Sequence, residues 1–231
     1  PRDLSCHRYL IFDGSYLVKR KGMVVLMDAR THRIIFGRYG IAEGPHGMTL
    51  FCNLLKEREL MPKSVTVDGN PHVIRAFKAY WPEIVIQRCL VHVQRQGLMW
   101  CRRNPTRIDA KKLRMIFLSV TTIRTHEQRH HFLKQLASWE ERYGYRIASS
   151  RETGWVFSDL KRARSMLIAA LPDMFHYLDD PLIPATTNSL EGYFARLKQR
   201  YRQHRGMSES RRVSYFLWYF HLKCLMHYLW N

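Results

Sequence analysis

Three carboxylates stand where the sequence offers chemistry. Asp13 follows the apolar run 9-YLIF-12, Asp68 follows 64-SVTV-67, and Glu191 sits early in 186-TTNSLEGYFARLKQRYRQHRG-206. The first two acids close β-rich runs, and in open α/β sheets ligands gather outside the carboxyl ends of parallel strands. A helix starting at Asn188 could lay Glu191 across the sheet above them. Converging carboxylates repel one another in a dry site unless divalent cations neutralise them, and oxygen-only ligands favour Mg²⁺ or Mn²⁺. Two such ions about 3.5–4 Å apart can activate an attacking oxygen and stabilise the leaving oxygen of a phosphodiester. Each acid also has a plainer reading. Asp-Gly is a common turn pair, and Asn188-x-x-Glu191 matches a capping box with Asn in place of Ser or Thr.

Beyond Glu191 the segment turns basic. Arg196, Lys198, Arg200, Arg202 and Arg205 have no acid among them. Arg196 with Arg200, and Lys198 with Arg202, are like-charged i, i+4 pairs that weaken an isolated helix. A merely solvated face more often interleaves acids, so phosphate contact is the reading adopted for this row. A second cluster, 102-RRNPTRIDAKKLR-114, offers Arg102, Arg103, Lys111 and Lys112 as another basic wall. The whole chain carries 38 Lys+Arg against 19 Asp+Glu, a formal +19. Polyphosphate is the usual partner of such a surplus. An anionic membrane would also serve, so charge alone does not choose.

Two further motifs admit more than one role. Cys89 and His92, three apart, share a helix face if a helix begins there. A structural zinc site needs four ligands, and no second pair with matching spacing follows, so a packed or hydrogen-bonded pair competes with a metal site. Trp155 follows a loop in 153-TGWVFSD-159 and reads as a core or lid aromatic. His126, His130 and His131 share one helical segment and read as surface or interhelical residues.

The elements that must position these residues are legible in outline. The runs 9–12, 24-VVLMD-28 and 34-IIFGRY-39 read as strands, the last two as an antiparallel hairpin across the polar turn ARTHR. Helical spacing over 45–61 begins with a Pro suited to a first turn. A strand at 64–69, a helix over 71–81 and a strand at 84–89 complete the order βββαβαβ, which sets parallel strands beside a hairpin. From about Val91 to Asp180 the texture is helical, over 108–120, 126–144 and 157–178, with strand-like runs almost absent. Two closing helices follow from about Thr187. The expected fold class is α/β, a mixed-sheet core with an inserted all-helical domain. The expected domains are 1–92 and 185–231 for the core and 93–184 for the insertion.

Composition sets the remaining bounds. At 231 residues and 46% hydrophobic content the chain can bury a real core. The segment 213–231 carries His221, Lys223 and His227, with aromatics spread along it rather than gathered at two ends. A long core-facing helix is expected there, not a membrane span. The start, PRDLSCHRYL, has no apolar run of secretory length. Five cysteines without framework spacing suit a reducing compartment, and a cytoplasmic location is expected. Pro1 in place of Met suggests a piece of a longer protein.

The ordered set 10-LIFDGSY-16, 65-VTVDGN-70, 88-RCLVHVQR-95 and 186-TTNSLEGYFARLK-198 resembles the DDE transposases of the Mutator superfamily, in their bacterial insertion-sequence branch. The resemblance implies an RNase H-like core interrupted by a helical domain, with Asp13, Asp68 and Glu191 as the catalytic, metal-binding triad. Cys89 and His92 match the family's C/D-x-x-H signature, and the resemblance adds a base-stacking role for Trp155 as an insertion-domain aromatic. It implies Mg²⁺ or Mn²⁺ as cofactor, DNA as partner, and a dimer or larger assembly on DNA. The implied reactions are hydrolysis that frees a 3′-OH at the transposon end, then attack by that 3′-OH on target DNA. Family members usually carry an upstream region that reads transposon ends, whereas this chain starts a few residues before the first catalytic strand. Two rival readings remain: an RNase H-like nuclease or resolvase without strand transfer, and a basic DNA-binding module without a working site.

Overall fold

Side-chain alternation along the strands sorts the apolar residues of one sheet onto two faces, and a helix layer covers each. The computed structural model describes residues 3–18, 21–151, 154–204 and 206–225. It divides into two units, Pro1–Gln87 with Pro181–Asn231, and Arg88–Asp180. In chain order the elements are β1 (Tyr9–Val18), β2 (Lys21–Asp28), β3 (Arg33–Tyr39), α1 (Pro45–Lys56), β4 (Ser64–Val67), α2 (Pro71–Tyr80) and β5 (Val85–Arg88). The α-helices α3 (Leu90–Cys101), α4 (Ile108–Ser119), α5 (His126–Trp139), α6 (Tyr145–Ser149), α7 (Trp155–Ala170) and α8 (His176–Asp179) come next. The chain then forms α9 (Asn188–Arg202) and α10 (Glu209–Leu225).

The sheet is mixed, in the order β3-β2-β1-β4-β5. β1 pairs antiparallel with β2, β2 antiparallel with β3, and β1 parallel with β4. Leu10, Phe12, Val24, Leu26, Val65 and Val67 turn to one face, where Phe51 and Leu55 of α1 and Val73 and Phe77 of α2 meet them. Ile11, Met23, Val25 and Met27 turn to the other, against Leu190, Phe194 and Leu197 of α9 and Phe216 and Phe220 of α10. In α1 the buried positions are 48, 51, 52 and 55, and in α9 they are 190, 193, 194 and 197. Both sets follow the i, i+3, i+4, i+7 stripe that faces a helix to a core. Gly37 lets α10 approach the sheet, because a Cβ there would lie 2.7 Å from the Phe220 ring.

One local expectation changes. The Asp13-Gly14 pair does not end its strand: β1 runs through it, with Asp13 opposite Val25 and Gly14 opposite Val24. A paired β2 overrides the turn preference of the dipeptide, since strand formation depends on its neighbours more than on intrinsic propensity. The expected final helix is present as α10, helical through Leu225, the last described residue; 226–231 lie outside the described residues. Among the described residues no helix is long and apolar enough to cross a membrane.

The second unit is helical after Arg88. α3 and α4 pack closely because Gly97 carries no side chain, and a Cβ at that position would run into the Phe117 ring. Asp109, buried in α4, receives Arg107 at 2.9 Å, Arg146 at 3.1 Å and the Ala110 amide at 2.8 Å. Trp139 donates its indole N–H to the Asp109 carbonyl at 2.9 Å. Burial pushes the Asp109 pKa up, but Arg107, the Ala110 amide and Arg146 outweigh it and hold the carboxyl below its ordinary value.

A buried acid also fixes the β2–β3 turn. Asp28 accepts from the Thr31 amide at 2.8 Å, the Thr31 hydroxyl at 2.9 Å and the Arg30 amide at 3.1 Å, and His7 Nδ1 lies 2.9 Å from its other oxygen. Burial raises the Asp28 pKa, yet the His7 and Thr31 bonds prevail and lower it from 3.8 to about 2. A depressed carboxylate stabilises the fold above its unfolded pKa and loses that contribution as pH falls through its folded one. Asp28 should therefore contribute about 2 kcal/mol at neutral pH, lost between about pH 4 and pH 2. Urea titrations across that range should show Asp28→Asn less stable at pH 6 and less sensitive to acid than the unmodified chain.

Candidate active site

The parallel pairing of β1 and β4 brings Asp13, within β1, towards the carboxyl end of β4, where Asp68 follows. Tyr9 lies opposite Ser64, Leu10 opposite Val65 and Ile11 opposite Thr66. Continued by two residues, this register sets Asp13 level with Asp68. Asp13 shares the parity of Ile11, which faces α9. Asp68 shares the parity of Thr66, whose buried hydroxyl donates to the Pro184 carbonyl at 2.7 Å rather than joining the apolar face of Val65 and Val67.

Local hydrogen bonds aim both carboxylates. The Gly14 amide donates to Asp13 Oδ1 at 2.9 Å, and the Asn70 amide donates to Asp68 Oδ1 at 2.9 Å. Asn70 in turn accepts from the His72 amide at 3.0 Å and caps α2. Asp13 is 9% exposed and Asp68 half-buried.

Glu191 arrives from α9. That helix is held at its start by the Thr187 carbonyl, which accepts from the Leu190 and Glu191 amides at 2.9 and 3.1 Å. Thr187, not Asn188, occupies the cap position, and no side-chain cap bond forms. Asn188 is an exposed first-turn residue, so the expected capping box is absent. Half-buried Glu191 instead lines, with Asp13, a cleft of about 430 Å³. Ser15, Lys198 and Arg202 line the same cleft. Asp68 is not among its lining residues. Positions 191, 198 and 202 fall on one face of α9, as spacings of seven and eleven require. Arg196 and Arg200 are exposed outside the cleft. Arg205 lies outside the described residues. Among the described residues no group of three or more His, Cys, Asp or Glu side chains is gathered closely enough to hold a metal ion by itself.

One residue near this site carried no signal in the sequence. Glu43, in the loop between β3 and α1, lies against Gly14 and beside the Asn70 side chain. It stands in an ordinary polar connection, 42-AEGPH-46, and only the return of that loop over β1 gives it meaning.

The other candidates lie in the helical unit. Cys89 is fully buried at the cap position of α3, and His92 is half-buried a turn later. None of the five cysteines forms a disulfide, and burial pushes the Cys52 and Cys101 thiols up to about 12. Arg103, Lys111 and Lys112 are exposed. Arg102 is engaged within the unit: it pairs with Asp159 at 3.0 Å, and its guanidinium lies 4.2 Å from the Trp155 ring centroid. Trp155 is 74% exposed at the start of α7, so it is no core aromatic. His126, His130 and His131 are all exposed on α5.

Compared with known proteins, the chain matches the family model described as "Transposase, Mutator family" over residues 5–167. That span includes Asp13, Asp68, Cys89, His92 and Trp155 and ends before Glu191. No curated protein matches the chain.

The geometry at the head of α9 separates its two neighbouring polar residues. Asn188→Ala should change stability by no more than about 0.5 kcal/mol, where loss of a true cap costs about 1 kcal/mol. Chemical denaturation of the variant measures the difference.

Proposed function

For this chain, which belongs to the Mutator family of transposases, we propose that the sheet unit is an RNase H-like catalytic core interrupted by the helical unit. It cuts DNA phosphodiesters with divalent metal ions and joins the freed 3′-OH to target DNA. The observation that carries this reading is the cleft that Asp13 and Glu191, remote in sequence, share with Lys198 and Arg202.

The donor set fits Mg²⁺ or Mn²⁺. Mg²⁺ keeps several waters and takes one or two carboxylates together with substrate phosphate, so it does not need a complete cage of protein side chains. Asp13, Asp68 and Glu191 offer only oxygen donors. They are the residues that would hold one or two such ions. Bound there, the ions would lower the pKa of an attacking oxygen and offset charge on the leaving one.

The protein's own side chains have separate duties. The Gly14 and Asn70 amides orient Asp13 and Asp68 before any ligand arrives. Lys198 and Arg202 place positive charge beside the acids, where a phosphate backbone would otherwise be repelled. Arg196 and Arg200, exposed away from the cleft, hold DNA outside the reacting phosphate, as Arg103, Lys111 and Lys112 do on the helical unit. Exposed Trp155, held by Arg102, offers a ring face to an unpaired base.

Asp13→Ala should lose nicking of supercoiled plasmid in Mn²⁺ by at least about 100-fold, while its affinity for duplex DNA stays within about twofold. Retention of full nicking by that variant would remove the reading. Nicked products without joined products would leave a hydrolytic nuclease in place of a transposase. Lys198→Ala and Arg202→Ala should each weaken DNA binding and flatten the plot of log K against log salt by about 0.9 for each phosphate no longer neutralised. Fluorescence anisotropy over a salt series reads that slope.

A further inference from the structure

We propose that Glu43 is a positioning residue that ties the two acid-bearing segments together, holding Asp13 and Asp68 in one geometry through Gly14 and Asn70. Its consequence for cleavage rests on the catalytic reading above; its geometry does not.

Glu43 reaches both neighbours at once. Asn70 Nδ2 lies 3.2 Å from the Glu43 carbonyl and 3.4 Å from its Oε2. The rest of the side chain fills the space over Gly14, where a Cβ would lie 2.5 Å from Oε1, 2.7 Å from Cδ and 2.9 Å from Cγ. Gly14 is not among the residues with positive φ, so glycine is required there for room and not for backbone conformation. Two residues that Glu43 touches are ones whose amides hold the acids: Gly14 donates to Asp13 and Asn70 donates to Asp68. Asn70 also caps α2, so a shift of its side chain would move the start of that helix as well.

The loop carrying Glu43 is itself held firmly. A Cβ at Gly22 would lie 2.7 Å from the Ile41 carbonyl, and one at Gly47 would overlap the Ala42 carbonyl. Two glycines thus let β2 and α1 close on the loop backbone just before Glu43. A side chain anchored on a fixed loop and contacting both acid-bearing segments restricts their relative motion. Misplacement of reacting groups by about 1 Å can cost about 100-fold in rate.

The test uses the full chain with supercoiled plasmid and Mn²⁺, together with amide hydrogen exchange on the free protein. Glu43→Ala should slow nicking about 10- to 100-fold, leave duplex affinity within about twofold, and speed exchange at the Gly14 and Asn70 amides. Glu43→Asp, which keeps the charge but shortens the reach, should behave alike and serves if the Ala variant loses its fold. Glu43→Gln keeps the acceptor for Asn70 and should return nicking to within about threefold of the unmodified chain. Equal loss in Glu43→Gln and Glu43→Ala would make the charge itself essential and overturn a positioning role. Unchanged exchange at both amides would overturn it as well. If the unmodified chain nicks nothing, the catalytic reading fails on its own, and exchange alone decides whether Glu43 couples the two acid-bearing segments.

Discussion

Parallel pairing of the first and fourth strands is the constraint on which the site depends. In a parallel pair the two chains run the same way, so Asp13, two residues beyond Ile11, and Asp68, two residues beyond Thr66, leave the paired stretch in the same direction. Antiparallel pairing of the same strands would send Asp13 and Asp68 in opposite directions. Parity then selects the face. Ile11 and Thr66 turn away from the layer built by α1 and α2, and the acids two residues later follow them. α9 covers that same face because Leu190, Phe194 and Leu197 need the apolar floor that Ile11 and Val25 provide. Packing of hydrophobic residues thereby delivers Glu191 to Asp13.

Charge works against this arrangement as well as for it. Acids brought together repel each other, and so do the basic residues beyond Glu191. The cleft interleaves the two signs, with Lys198 and Arg202 beside Asp13 and Glu191. Each set screens the other. The surplus of positive charge over the whole chain is consistent with a polyanionic partner, and Mutator-family transposases act on DNA. Within the helical unit similar care is taken with single acids: Asp109 is buried only because Arg107 and Arg146 reach it, and Arg102 is held by Asp159. These pairings engage certain arginines within the unit, so a count of basic residues overstates the uncompensated positive charge.

Much of the architecture was legible in the sequence because it rests on local pattern. Alternating and helical periodicity gave the hairpin, the order of strands and helices, and the helical texture after Val91. The reach of β1 past Asp13 was not legible, since it depends on a partner strand that a window around the Asp-Gly pair does not contain. Asn188 departs from its expected role for a related reason. Capping boxes are recognised by spacing, but the chain direction entering α9 places Thr187 at the cap and leaves Asn188 in solvent.

The sequence alone determined which residue types were present at strand ends and helix starts, the sign of the surface charge, and the family to which the ordered motifs belong. Tertiary structure alone decided that Asp13 and Glu191 share a cleft, that Lys198 and Arg202 rather than Arg196 and Arg200 face it, and that Glu43 lies behind Gly14. The reason is range. Periodicity and capping act over a few residues and leave marks that can be read locally, whereas a site assembled from strands and helices far apart along the chain is fixed by pairing register and helix packing, which no single segment encodes.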